Sequence, residues 1–325
     1  MRWELGRLWG WELGVIGVLK VFLLIVVGLA GDPEHGKTFH AWGNSLAEAS
    51  TRLGVPSERL TYLVDAPAEG DKLVTGKSTK EEIAKAFDSI AKQAKPEDMV
   101  FVTLIGFGTY QGGDAKFNLP GPDMTPADFD AQLKKLPTRQ IVFVNTASAS
   151  GPFVEQLSGP GRTIVTATRN GAEQYATLFG GYFVDALTSE AADADKNKRI
   201  TVLEAFRYAK SEVARAYEKE GHLVTEHALL DDNGDKEGSQ DPGAANAKDG
   251  KVATIVSLGS TDASDLPSDP KLRALYLERK ELERQVENLR LMKDQMEPAK
   301  YASELEKLVT AVALKTREIR TAEGK

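Results

Sequence analysis

The chain has no cysteine and only four histidines, His35, His40, His222 and His227, in 325 residues. The first absence excludes a disulfide framework, a thiolate zinc site and a thiol nucleophile. The second leaves few imidazoles for proton transfer near neutral pH. Positive charge is also in deficit, with 41 Lys and Arg against 48 Asp and Glu, a net charge of −7 and a pI near 5.4. No basic stripe offsets that balance, so nucleic acid is not an expected partner, because phosphate binding needs clustered cations that release counterions. The apolar run from Val15 to Ala30 is broken by Lys20. It reads as a signal h-region, a membrane anchor or a buried strand, and Val21–Val27 has the length and β-branching of a parallel-sheet strand. The preceding residues 1–20 mix Trp3, Trp9 and Trp11 with Glu4, Arg7 and Glu12. They lack a basic n-region and read as an extension, a signal or an anchor, the one expected route to a membrane. Export to a periplasm and residence in the cytoplasm both stay open.

What is present is a 41% hydrophobic chain, enough for one sizeable α/β domain and an appendage. Short apolar runs at Val21–Val27, Leu60–Val64, Met99–Ile105, Gln140–Val144 and Arg162–Ala167 alternate with amphipathic stretches, the pattern of βαβ units and a mainly parallel sheet. The helices between them have readable ends. Phe39, Trp42, Leu46 and Ala49 share a face that stops at Gly54; Ser78-Thr79-Lys80-Glu81 is a capping box before Ile83, Phe87 and Ile90; Thr125-Pro126-Ala127-Asp128 supplies a cap, a proline at the first position and an early acid. The expected layout is an extension over 1–20, the α/β domain over 21–245, a linker over 246–266 with a strand at Val252–Leu258, and two helices over 267–325. Leu275, Leu282, Val286, Leu289 and Met296, then Tyr301, Leu305, Leu308, Val312 and Ile319, form one apolar stripe on each side of Glu297-Pro298. That predicts an antiparallel hairpin in preference to a homodimeric coiled coil, since Arg279 and Lys293 interrupt the seam.

Two strand ends carry the chemistry to be weighed, Gly106-Phe107-Gly108-Thr109 and Thr146-Ala147-Ser148-Ala149-Ser150-Gly151. Both fall at the carboxyl edge of the sheet, where sites of this architecture form. They resemble the Asp-His-Gly-Ser and Glu-Ala-Cys-Glu-Ser-Gly motifs of legumain-like cysteine peptidases, over about two thirds of the chain. The resemblance implies a three-layer caspase-like sandwich, and it implies that Phe107 stands where the catalytic histidine belongs and Ser148 where the cysteine belongs. It also implies that Gly108 lends a backbone N–H to an oxyanion. With both reactive residues replaced, the expected role is peptide or protein binding by a pseudopeptidase. The alternatives are a hydrolase that uses Ser148 with a base other than histidine, and a purely structural calcium-binding scaffold.

A second pattern is Asp193-x-Asp195-x-Asn197-x-Arg199-Ile200-Thr201-x-x-Glu204, flanked by helical periodicity. Oxygen donors at positions 1, 3, 5 and 12, with Arg199 and Thr201 at positions 7 and 9, match a calcium loop of the EF-hand type. Lys198 occupies position 6, where a positive φ favours glycine, at a cost on the order of 1 kcal/mol. Calcium is the expected ion. Asp231-Asp232-Asn233-Gly234-Asp235 has similar composition without the twelfth-position glutamate and reads as a polar turn. Gly70 to Ser78 is one residue too long for a phosphate loop, and Gly106-x-Gly108 lacks the remaining dinucleotide-binding glycine.

Overall fold

The computed structural model describes residues 20–68, 70–258, 267, 269–291 and 297–323. Residues 1–19 of the expected extension, 259–266 of the expected linker, and Met296 lie outside them. In chain order the elements are β1 (Val21–Val27), α1 (Pro33–Ala49), β2 (Leu60–Val64), β3 (Gly76–Lys77), α2 (Lys80–Gln93), β4 (Met99–Ile105), β5 (Gly108–Gln111), β6 (Asp114–Phe117), α3 (Pro126–Leu133), β7 (Gln140–Asn145), α4 (Phe153–Leu157), β8 (Arg162–Thr166), α5 (Phe179–Thr188), α6 (Val202–Glu220), β9 (Leu229–Asp231), α7 (Pro270–Leu291) and α8 (Pro298–Ala322).

Seven strands form one sheet in the order β3-β2-β1-β4-β7-β8-β9, parallel except for β9, which runs antiparallel to β8. All seven residues of β1 are buried, so this strand needs apolar side chains on both faces, and its unbroken run follows from that. Val21, Leu23, Ile25 and Val27 pack with Phe39 and Leu46 of α1, Phe179 and Phe183 of α5, and Phe206 of α6. Phe22, Leu24 and Val26 face the opposite layer of Ile83 and Phe87 of α2, Phe129 of α3 and Phe153 of α4. Each fully buried side chain of this size contributes roughly 1.5–3 kcal/mol, so the sheet centre is the stable platform and its edge loops are what the sequence can vary.

All five expected long strands form, as do the capped helices. One cap differs: Thr79 accepts from the Glu82 N–H, while the buried Ser78 hydroxyl donates to the Val27 carbonyl at 2.6 Å and ties α2 to the central strand. The expected linker is corrected for residues 246–258. Ala253, Val256 and Leu258 are buried; Val202 N–H donates to the Val256 carbonyl and Leu203 N–H to the Ala253 carbonyl. Val252–Leu258 forms turns with a single bridge, Thr201 to Ser257, in place of a strand, because its backbone groups serve the start of α6. The α/β domain therefore extends to Leu258. A hairpin of β5 and β6, turning at Gly112-Gly113 with φ of 63° and 94°, was not expected; the paired glycines are its sequence signal.

The last two helices pack antiparallel on one another. Tyr276 near the start of α7 hydrogen bonds to Glu323 just beyond α8, and Lys315 pairs with Glu278 at 2.7 Å. Val286 and Ile319 are buried along the expected stripe. No helix among the described residues is long and apolar enough to cross a membrane.

Candidate functional site

Strand register brings the two motif segments together. Val27 pairs with Ile105 and Leu104 with Asn145, so β1, β4 and β7 end level and release Gly28, Gly106–Gly108 and Thr146–Ser148 at one edge. The Thr146 hydroxyl donates to the Leu104 carbonyl at 2.8 Å and Asn145 Oδ1 accepts the Ala147 N–H at 3.0 Å, which turns the chain out of β7. Ala149 then takes a left-handed φ of 53° and donates its N–H to the Glu173 carbonyl at 2.7 Å.

The Ser148 hydroxyl is buried in this turn. It donates to the Gly108 carbonyl at 3.0 Å and accepts the Gly108 N–H at 3.2 Å. The N–H expected as an oxyanion donor is thus engaged by the hydroxyl expected at the nucleophile position. Gly108 also has no room for a side chain, since a Cβ would stand 2.3 Å from the Ser148 carbonyl oxygen and 2.9 Å from that of Lys116. The glycine and the serine specify one another through this contact.

Phe107 is half-buried, with its ring edge-on to His35 at 5.1 Å and to Phe39 at 5.3 Å between centroids. An apolar ring stands where the resemblance expects a histidine, and it extends the α1 aromatic face up to the sheet edge. His35 lies outside both motifs in sequence, yet α1, the element after β1, carries it onto Phe107. His35 Nδ1 lies 2.6 Å from Asp32 Oδ2, and the His35 N–H and ring hold the exposed Asp32 carboxyl below its usual range. On the other side of Ser148, Glu173 binds His227 Nδ1 at 2.7 Å and Arg169 Nε at 3.0 Å. Both imidazoles are thus held by a carboxylate at the rim, and neither hydrogen bonds to Ser148. Glu173 and His227 lie 54 positions apart, so no local motif announced the pair.

The Asp193–Glu204 loop connects α5 to α6. Asp193, Asp195 and Glu204 each bring a carboxylate oxygen within 4.8 Å of the others. The remaining predicted donors are turned into the loop itself: Asn197 Oδ1 accepts the Arg199 N–H at 2.8 Å, and the Thr201 hydroxyl donates to Glu204 Oε2 at 2.8 Å while capping α6. Lys198 has φ of 62°, the conformation expected at position 6, and Lys196 adopts a second left-handed turn at 59°. The three carboxylates are themselves engaged within the loop: Asp193 accepts the Asn197 and Lys198 N–H groups, Asp195 the Asn197 N–H and side-chain amide, and Glu204 the Ala194 N–H.

Against this geometry stands one family match: the model of the peptidase C13 family fits residues 72–230, from the loop after β2 into β9, a span that holds Phe107, Gly108 and Ser148. No curated protein matches the chain.

Proposed function

Because the chain belongs to the legumain-like peptidase C13 family over residues 72–230, we propose that it is a non-catalytic form of that fold, which binds a peptide or protein at the carboxyl edge of its sheet. The observation that carries this reading is the closed pair of hydrogen bonds between the Ser148 hydroxyl and Gly108. A serine nucleophile needs a base within about 2.6–3.2 Å to take its proton. A main-chain carbonyl is not such a base, and the imidazole position holds a phenyl ring. The purified chain is expected to leave peptide substrates uncut and to resist fluorophosphonate labelling, with Ser148→Ala indistinguishable from wild type. Labelling that maps to Ser148 and vanishes in Ser148→Ala would establish the hydrolase alternative.

Exposed apolar side chains support binding. Leu29 follows β1, Tyr110 lies in β5 just after β4, Tyr175 and Leu178 follow β8, and Leu223 and Val224 lead into antiparallel β9, so these six side chains lie on four segments that emerge at the same edge. Apolar groups gathered at one rim mark an interaction surface in a way that scattered ones do not. A displayed peptide library panned on the wild type should enrich apolar sequences that lose binding to Tyr175→Asp/Leu223→Asp. Equal enrichment on both proteins would remove this surface from consideration.

The calcium reading belongs to the Asp193 loop. An ion present at about a hundred times its dissociation constant stabilises by about 2.7 kcal/mol, roughly 5–10 °C in melting temperature for a domain of this size. Calcium added to EDTA-stripped protein is therefore expected to raise the melting temperature by several degrees, and Glu204→Gln to take away part of that rise. An identical rise in the variant would take calcium out of this loop.

A further inference from the structure

We propose that Asp231, Asp235 and Asp249 form a second calcium site, distinct from the Asp193 loop, which fastens the segment after β9 to that strand, the last of the sheet. Their carboxylates each bring one oxygen within 4.8 Å of the other two. Two oxygens that share a calcium ion at about 2.4 Å lie no more than about 4.8 Å apart, so the spacing of the three meets that condition for a shared ion.

The pointer to a ligand is Asp231. It ends β9 with 0% exposure, and its Oδ1 accepts the N–H groups of Asn233 at 3.2 Å and Gly234 at 3.0 Å. Its Oδ2 is buried and accepts no hydrogen bond. A buried carboxylate oxygen without a partner costs several kcal/mol in a dry site unless a cation meets it. The ion pair that reaches the cluster is Lys248 to Asp235 at 3.3 Å, and the Lys248 side chain is 68% exposed and shared with Glu237 at 3.0 Å. Such a pair contributes little.

Asp232, beside the cluster, has both oxygens occupied, by the Gly250 N–H at 2.9 Å and the Ala253 N–H at 2.8 Å. It holds the 249–253 turn in place, and its own N–H reaches Asp249 Oδ1 at 3.3 Å. Three carboxylates gathered around one exposed lysine fit a divalent ion. All-oxygen donors select a hard one, and an irregular loop that can add carbonyls and water suits calcium better than the strict octahedron of magnesium. The consequence reaches beyond the turn, because Ala253 and Val256 accept from the first two amides of α6.

The test uses the EDTA-stripped full chain with calcium alone as the probe, read by titration calorimetry and amide hydrogen exchange. Calcium is expected to slow exchange at amides 231–235 and 249–253 at least tenfold in the wild type and also in Glu204→Gln. Asp235→Asn, at an exposed position that leaves the core untouched, should weaken this binding at least tenfold in the Glu204→Gln background. Two ions per wild-type chain and one per Glu204→Gln chain would support both loops. One ion in each, with protection at 231–235, would support this site and remove the Asp193 loop. No calcium on Glu204→Gln, or unchanged affinity in Asp235→Asn, overturns the proposal, and equal protection by magnesium alone overturns its calcium assignment.

Discussion

Replacing Gly151 with alanine is expected to destabilise the protein by about 3 kcal/mol or more, at the upper end of what an overpacked site costs, and to lower its melting temperature by roughly 6–12 °C. An added Cβ would stand 2.3 Å from the Arg169 carbonyl carbon and from the Asn170 nitrogen, and 2.5 Å from the Arg169 oxygen. All three are backbone, so no side chain can rotate away. The two loops are also cross-linked where they touch: Gly151 N–H donates to Thr168 Oγ1 at 3.0 Å, and Thr168 N–H donates to Ser150 Oγ at 3.2 Å. Forcing them apart breaks those bonds as well as the packing, and it shifts the turn that carries Ser148. Gly36→Ala is the opposite case, since its nearest neighbour is the Ala30 methyl at 3.7 Å and it lies within α1. There alanine should gain about 0.5–1 kcal/mol from helix propensity. Urea denaturation of both variants decides the matter, and a Gly151→Ala cost below about 1 kcal/mol would mean that these loops can separate freely.

The contrast shows which parts of the molecule are legible in sequence. Periodicity is enough for Val21–Val27 or for the inward face of Ile83, Phe87 and Ile90, because burial on two faces or on one stripe dictates which residues can stand there. The motif residues Phe107 and Ser148 were legible too, since strand order brings any two adjacent parallel strands to a common edge. Their partners were not. Ser148 is satisfied by main-chain groups of Gly108, and backbone atoms carry no signature in a sequence. The Glu173–His227 and Asp231–Asp249 contacts join residues whose loops meet only after the antiparallel strand β9 has folded against β8. The segment 246–258 misled for a related reason: its Gly, Asp and Ala content is that of a linker, yet Asp232 and the start of α6 recruit its backbone.

Glu226→Ala is expected to cost about 2–4 kcal/mol, as much as orphaning two buried amides. Glu226 is 5% exposed and accepts the Leu178 N–H at 2.8 Å and the Phe179 N–H at 3.0 Å. Leu178 has no capping side chain of its own, so a carboxylate from nearly fifty residues away serves as the cap of α5. The cost falls on the functional edge, because the next residue, His227, reaches Glu173 and through it the Ala149 turn. Charge adds a pH dependence. Burial is the largest influence on Glu226 and raises its pKa above the ordinary 4.5, against the amide donors that lower it and with nearby Glu173 adding to the rise. The folded state therefore holds this proton more tightly than the unfolded state does. Its contribution to stability is full below pH 4.5 and declines as pH rises from there through the folded value. Glu226→Gln keeps the shape and removes the titration, so the stability of the wild type should fall more steeply than that of the variant across this window. Equal slopes in parallel urea titrations from pH 4 upward would show that the amides of α5 stabilise the charge enough to cancel its burial, and the Ala variant would then lose a charged cap in place of a strained one.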